Sequence, residues 1–248
     1  MAEENNNIKL NITDYKPNEK YIIKIQSYYR GYNCRKNRLP NILYQVKNFL
    51  EKKNIKISTT SKDGRINSCI DENSIIEIIK NNKFKIYVPE IRNWYDILLY
   101  DNVYKWIPIN IKITTTITSD NTGNYAMCVY AYTDEKLDLY KSYSNGKMTS
   151  ILLDKFEKKK FNKNYMKDYY FLVINKNDTK EIIINSVKGL NALTSNINNL
   201  PFQVKWNKNK EYSYKKIKTF IDKFLETQQK TKESWKEIYL SKIRDLKI

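Results

Sequence analysis

Residues 95–116, YDILLYDNVYKWIPINIKITTT, constrain the fold more than any other stretch of the chain. They read as two apolar-rich strands joined by a short polar turn. On the second strand, period-2 alternation puts Asn110, Lys112 and Thr114 on one face and Ile109, Ile111 and Ile113 on the other. Asp96 stands near the start of the first strand, so a hairpin folds it back beside Asn110 and Lys112. A carboxylate, an amide oxygen and an ammonium then meet at one sheet edge. That donor set suits Mg²⁺-assisted hydrolysis of a phosphodiester.

Composition narrows the chemistry further. The 248 residues allow one sizeable core with an added N-terminal element. Lys and Arg number 45 against 27 Asp and Glu, a net charge of +18 spread along the whole chain. Such an excess favours a polyanionic partner, nucleic acid before membrane, although an AT-rich coding sequence would inflate Lys and Asn as well. Histidine is absent, which excludes a Ser-His-Asp triad, an HNH-type nuclease, a His-ligated zinc site and an imidazole base. Cys34, Cys69 and Cys128 are scattered, form no C-x-x-C pair and fit a reducing, intracellular setting. MAEENNNIKLN does not read as a signal peptide, and no apolar run approaches the ~20 residues of a membrane span. A soluble protein is expected.

Four segments carry a resemblance to a known family: GRINSCIDENSIIEIIK (64–80), NWYDILL (93–99), IPINIKITTTITSDNTGN (107–124) and DYYFLVINKNDTKEIIINSVKGL (168–190). In this order they are similar to type II restriction endonucleases of the ScaI-like family, within the PD-(D/E)XK nuclease superfamily. Asn110 stands where that family more often has Asp or Glu. The resemblance implies an α/β restriction-endonuclease-like core with a central mixed β-sheet flanked by helices. It also implies double-stranded DNA as substrate, Mg²⁺ as cofactor and a homodimer for a two-fold cut. Asp96, Asn110, the Ile111 carbonyl and Glu72 would hold the metal, and Lys112 would orient the attacking water.

Glu72 lies three and four residues before Ile75 and Ile76, at the end of the apolar face of a helix read within 64–80 and beginning near Asp71. It is either a site residue or an acid placed on the helix dipole. Glu77 falls between the apolar positions and is expected in solvent. For DNA contacts the candidates are Arg92, Thr114, Asn121 and Asn124 in the loop signal SDNTGN, and Lys205 and Lys208 in the Asn-rich stretch 188–212. Each also has an ordinary surface or loop explanation.

The N-terminal segment reads differently. Residues 19–37 predict a helix ended by Pro40, containing IQSYYRGYNCR. It matches the IQ pattern at Ile25, Gln26, Arg30, Gly31 and Arg35. Such a helix suits the acidic-rimmed groove of a calmodulin-like protein, or it packs on residues 42–49 as a helical hairpin. The domain division expected is 1–55 as the IQ-containing helical extension and 56–248 as the nuclease-like domain. Further helices are predicted over 147–163, 214–227 and 232–246, and strands over 84–90, 168–176 and 181–187; the buried 125–133 reads as helix or strand, with helix preferred. The pairing of an IQ segment with this endonuclease-like text resembles proteins of giant viruses of amoebae, which would place it in host cytoplasm or a viral factory. Two other functions stay open: a nuclease fold that grips DNA without cutting, and an interaction protein centred on the IQ helix.

Overall fold

The structure, a computed structural model, describes residues 19–36, 38–58, 64–90, 93–122, 124–162, 164–194, 202–215 and 217–228. The chain divides into two compact units, residues 1–36 and 37–248. Within the first, α1 (Glu19–Lys36) is a single helix, as its sequence predicts. Tyr21, Ile23, Ile25 and Tyr28 on it are all well exposed.

The second unit begins earlier than the boundary expected at 55/56. The reason is α2 (Asn41–Glu51), whose buried stripe of Ile42, Leu43, Val46 and Leu50 joins the core of the main sheet. Full burial of such side chains contributes roughly 1.5–3 kcal/mol each, so α2 is structural to this unit. Pro40 offers α2 no side-chain cap. The buried Asp101 does so from the hairpin turn: Oδ2 accepts from Ile42 N at 3.1 Å, while Oδ1 accepts from Val103 N and Tyr104 N. One carboxylate thereby pins helix to hairpin. Deleting residues 1–36 should leave the thermal midpoint of the remaining chain within about 2 °C, measured by circular dichroism. A larger loss would show that α1 completes this core.

The central sheet runs β1-β2-β3-β5-β6, with β1 (Ile86–Tyr87), β2 (Ile97–Asp101), β3 (Lys105–Thr114), β5 (Tyr170–Asn175) and β6 (Asp178–Ser186). β1, β2 and β3 pair antiparallel, β3 and β5 parallel, and β5 and β6 antiparallel. This is the mixed α/β architecture expected, with helices flanking a central mixed sheet. The parallel β3–β5 pair needs a long crossover, which carries α4 (Tyr125–Tyr132) and α5 (Asn145–Glu157). Pro108 is tolerated within β3 because the β5 ladder starts only at Ile109↔Tyr170, leaving its missing N–H on an unpaired side.

All six residues of β5 are buried, as befits a central strand. Phe171 and Val173 enter the core shared with α4, α5 and α6 (Ile217–Gln228); Tyr170, Leu172 and Ile174 enter the other, shared with α2 and α3 (Gly64–Lys80). Ile75, Ile76 and Ile79 are buried and Glu77 is exposed, as the periodicity of α3 predicts.

A second sheet, order β4-β8-β7, comes from stretches expected to be loops: β4 (Ser119–Thr122), β7 (Leu193–Thr194) and β8 (Phe202–Lys205). β4 pairs β8 from Ser119↔Lys205 to Thr122↔Phe202, a contact between segments far apart in sequence. The predicted helix over 232–246 lies outside the described residues. Among the described residues no helix is long and apolar enough to cross a membrane.

Candidate active site

The β2–β3 register sets Ile97 opposite Ile109, which carries Asp96 to the level of Asn110. Asp96 N donates to Ile109 O at 3.0 Å. Its Oδ2 accepts from Asn110 Nδ2 at 2.8 Å and from Ile111 N at 2.7 Å. The hairpin thus brings Asp96, Asn110 and Ile111 together as the sequence predicts, although Ile111 acts here through its N–H. The amide of Asn110 has to present nitrogen to the carboxylate, because the flipped form would oppose two acceptors. Its Oδ1 is consequently buried with no hydrogen-bond donor.

Behind this pair a small hydrogen-bond network closes on the Trp94 carbonyl. Tyr169 Oη and Asn124 Nδ2 both donate to Trp94 O, at 2.8 and 2.9 Å. Asn124 Oδ1 accepts from Met127 N, capping α4. The Asn124 side chain therefore serves the fold rather than presenting a free amide to a ligand.

Burial pushes the Asp96 carboxyl up to about 6, against the opposing pull of the Ile111 N–H and Lys112. Glu72 is pushed further, to about 7, by burial; Lys112 opposes this and the charges of Asp96, Asp120 and Asp71 reinforce it. Glu72, Asp96 and Lys112 therefore share one electrostatic environment, and because α3 starts at Gly64 and not near Asp71, Glu72 lies well past the first turn where the helix dipole acts. Asp120 joins them and was missed, because SDNTGN carries a loop signal. Its Oδ2 accepts from Nε1 of the fully buried Trp206 at 3.0 Å.

Among the described residues, no three His, Cys, Asp or Glu side chains form a group that could hold a metal. The hard oxygens at this edge, of the kind Mg²⁺ takes, are the Asp96 carboxylate and the Asn110 Oδ1, whose amide faces the carboxylate through its nitrogen.

The remaining candidates are spread out. Asn121 is exposed on β4, and its Oδ1 accepts from Gln203 Nε2 at 2.8 Å. Strand register puts Ser119, Asn121, Gln203 and the half-buried Lys205 on one polar face of the second sheet. Lys208 is exposed in the turn after β8. Thr114 is half-buried at the end of β3, where its carbonyl accepts from Lys176 N. Arg92 lies outside the described residues. On α1, Ile25, Gln26 and Arg30 are exposed and Gly31 is half-buried; the Arg35 side chain lies outside what is described.

Compared with curated proteins, the chain finds no match. A family model described as the IQ calmodulin-binding motif matches residues 19–37, and so covers α1.

Proposed function

We propose that the chain is a Mg²⁺-dependent endonuclease of the PD-(D/E)XK, type II restriction kind, hydrolysing double-stranded DNA as a homodimer. The observation that carries this reading is the Asp96–Asn110 pair, with a buried amide oxygen lacking any donor beside a carboxylate. Support comes from the order of elements around it: a helix, three antiparallel strands, a helical crossover and a strand parallel to the third. Asp96 and Asn110 Oδ1 would hold the cation, which when bound supplies positive charge to the scissile phosphate and acidifies water.

The protein's own groups then have separate tasks. Glu72, titrating near neutrality, is suited to accept the proton of the attacking water. As that water bonds to phosphorus, one P–O ester bond breaks and its oxygen leaves. Lys112 offsets the negative charge that develops meanwhile. The second sheet would meet DNA through Asn121, Gln203 and Lys205. Digestion of plasmid DNA of known sequence with Mg²⁺, followed by mapping of the ends, tests the reading. Discrete ends are expected; intact plasmid at every divalent metal concentration would overturn it.

A second reading concerns α1 and is compatible with the first. The match to the IQ calmodulin-binding motif favours a calmodulin-like partner at Ile25, Gln26, Arg30, Gly31 and Arg35. Tyr21, Ile25 and Tyr28 recur at helical spacing, with Ile25 68 % and Tyr28 75 % exposed, as anchors for an apolar groove would be. Isothermal titration of the full chain with calmodulin, with and without Ca²⁺, should show binding that Ile25→Asp removes. No heat under either condition would overturn this assignment.

A further inference from the structure

A cavity of about 690 Å³ lies on the second unit, formed by α5's C-terminus and the segments that follow α4 and α5. Lys136, Lys158, Lys159, Lys160 and Lys167 line it, with Asp134 as the acid among them. That acid is already engaged: Lys155 Nζ lies 2.8 Å from both Asp134 Oδ1 and Glu135 Oε2. Leu137 and Phe161, both half-buried, contribute apolar surface.

Lysines after a helix C-terminus are commonly only solvated charges that complement its dipole. Two features here go further. Lys159 is held in the left-handed region at φ 53°, and Lys159 N and Lys160 N donate back to Phe156 O and Lys155 O, closing α5 in a Schellman turn. Three successive lysines are thus folded around the helix end at the cavity rim instead of running on along the helix. Lys167 is half-buried, its Nζ donating to Thr133 O at 3.2 Å and Glu135 O at 2.6 Å and lying 5.0 Å from the Tyr130 ring centroid. Burial first, then the nearby Lys188, depresses its pKa to about 8 against the opposing pull of Asp134 and Glu135.

We propose that this cavity binds single-stranded nucleic acid, with Lys136 and Lys160 on its phosphates and the Phe161 ring against a base. Concentrated positive charge beside aromatic and apolar surface is the combination by which single strands are held without sequence readout. This assignment is independent of cleavage at Asp96 and needs no divalent metal.

The test is fluorescence anisotropy with a labelled oligothymidine, the full chain and EDTA, across a range of salt. Lys136→Gln with Lys160→Gln should weaken binding about tenfold or more. The magnitude of the log–log salt slope should fall by about 1.4, as expected for two lost phosphate contacts on a single strand. Phe161→Leu should cost about fivefold or more at unchanged slope, and Phe161→Tyr should retain affinity, which separates loss of the ring from loss of the fold. Lys52 and Lys83, exposed and outside the cavity, provide a control double variant of equal charge. Equal weakening in that control, no weakening in the cavity pair, or full affinity in Phe161→Leu would each overturn the proposal. Competition by polyphosphate as effective as by the oligonucleotide would likewise overturn the base contact. Plasmid cleavage is read separately, so its failure leaves this result standing.

Discussion

Asp96→Asn and Lys112→Ala should each lower Mg²⁺-dependent cleavage by about 10³-fold or more while the protein remains folded. Asp96 Oδ2 is the acceptor that orders Asn110 Nδ2 and Ile111 N. Replacing it with alanine would strand two donors at a cost of about 1–3 kcal/mol each. Asparagine keeps one acceptor oxygen for Ile111 N while removing the charge and turning the other oxygen into an amide NH₂, so it weakens the proposed metal contact with the shape of the side chain retained. Lys112 acts on both carboxyls, holding Glu72 and Asp96 below where burial alone would put them. Its loss should therefore shift the remaining activity to higher pH as well as reduce it. Single-turnover cleavage across pH 6–9 reads both effects. A rate within tenfold of wild type in either variant would remove that residue from the site.

The part of this arrangement that sequence reveals is the part set by local periodicity. Alternation in IPINIKIT fixes which residues share a face, and a two-stranded hairpin then leaves little choice about what lies beside Asp96. The spacing of Ile75, Ile76 and Ile79 similarly orients Glu72. What local pattern cannot carry is long-range pairing. Ser119–Thr122 has the residues of a loop, and becomes a strand because β8 arrives from more than 80 residues away with Phe202 and Val204 buried beneath it. Asp120 was hidden for that reason. Asn124 illustrates the opposite failure. An Asn in a turn-rich stretch suits DNA contact and helix capping equally, and only the packing of Met127 and Trp94 around it decides for the cap. The unit boundary moved to Lys36/Asn37 because the stripe on α2 shows that a face is buried without showing against what.

Glu72→Gln should make the metal-free protein more stable at pH 8 while cutting about 10²-fold more slowly. In the unfolded chain this carboxyl titrates near 4.5, and in the folded protein at about 7. The folded state holds the proton more tightly, so the stability associated with Glu72 is full below about 4.5 and is lost as pH rises through 7. Asp96, raised from 3.8 to about 6, acts in the same direction at slightly lower pH. The melting temperature of the metal-free protein should consequently fall between pH 5 and pH 8. Glutamine cannot ionise, and should recover about 2 kcal/mol at pH 8, allowing for the partial exposure of Glu72. For a unit of this size that is about 4–8 °C. Glu77, exposed and paired with Lys80 at 3.2 Å, should give no such gain when changed to Gln. The rate loss follows from removing a base that titrates near the working pH. A destabilised Glu72→Gln protein at pH 8 would mean that the ionised carboxylate is held favourably by its neighbours. The charge on Glu72 would then be part of what supports the fold, and the case for it as a proton acceptor would fail with it.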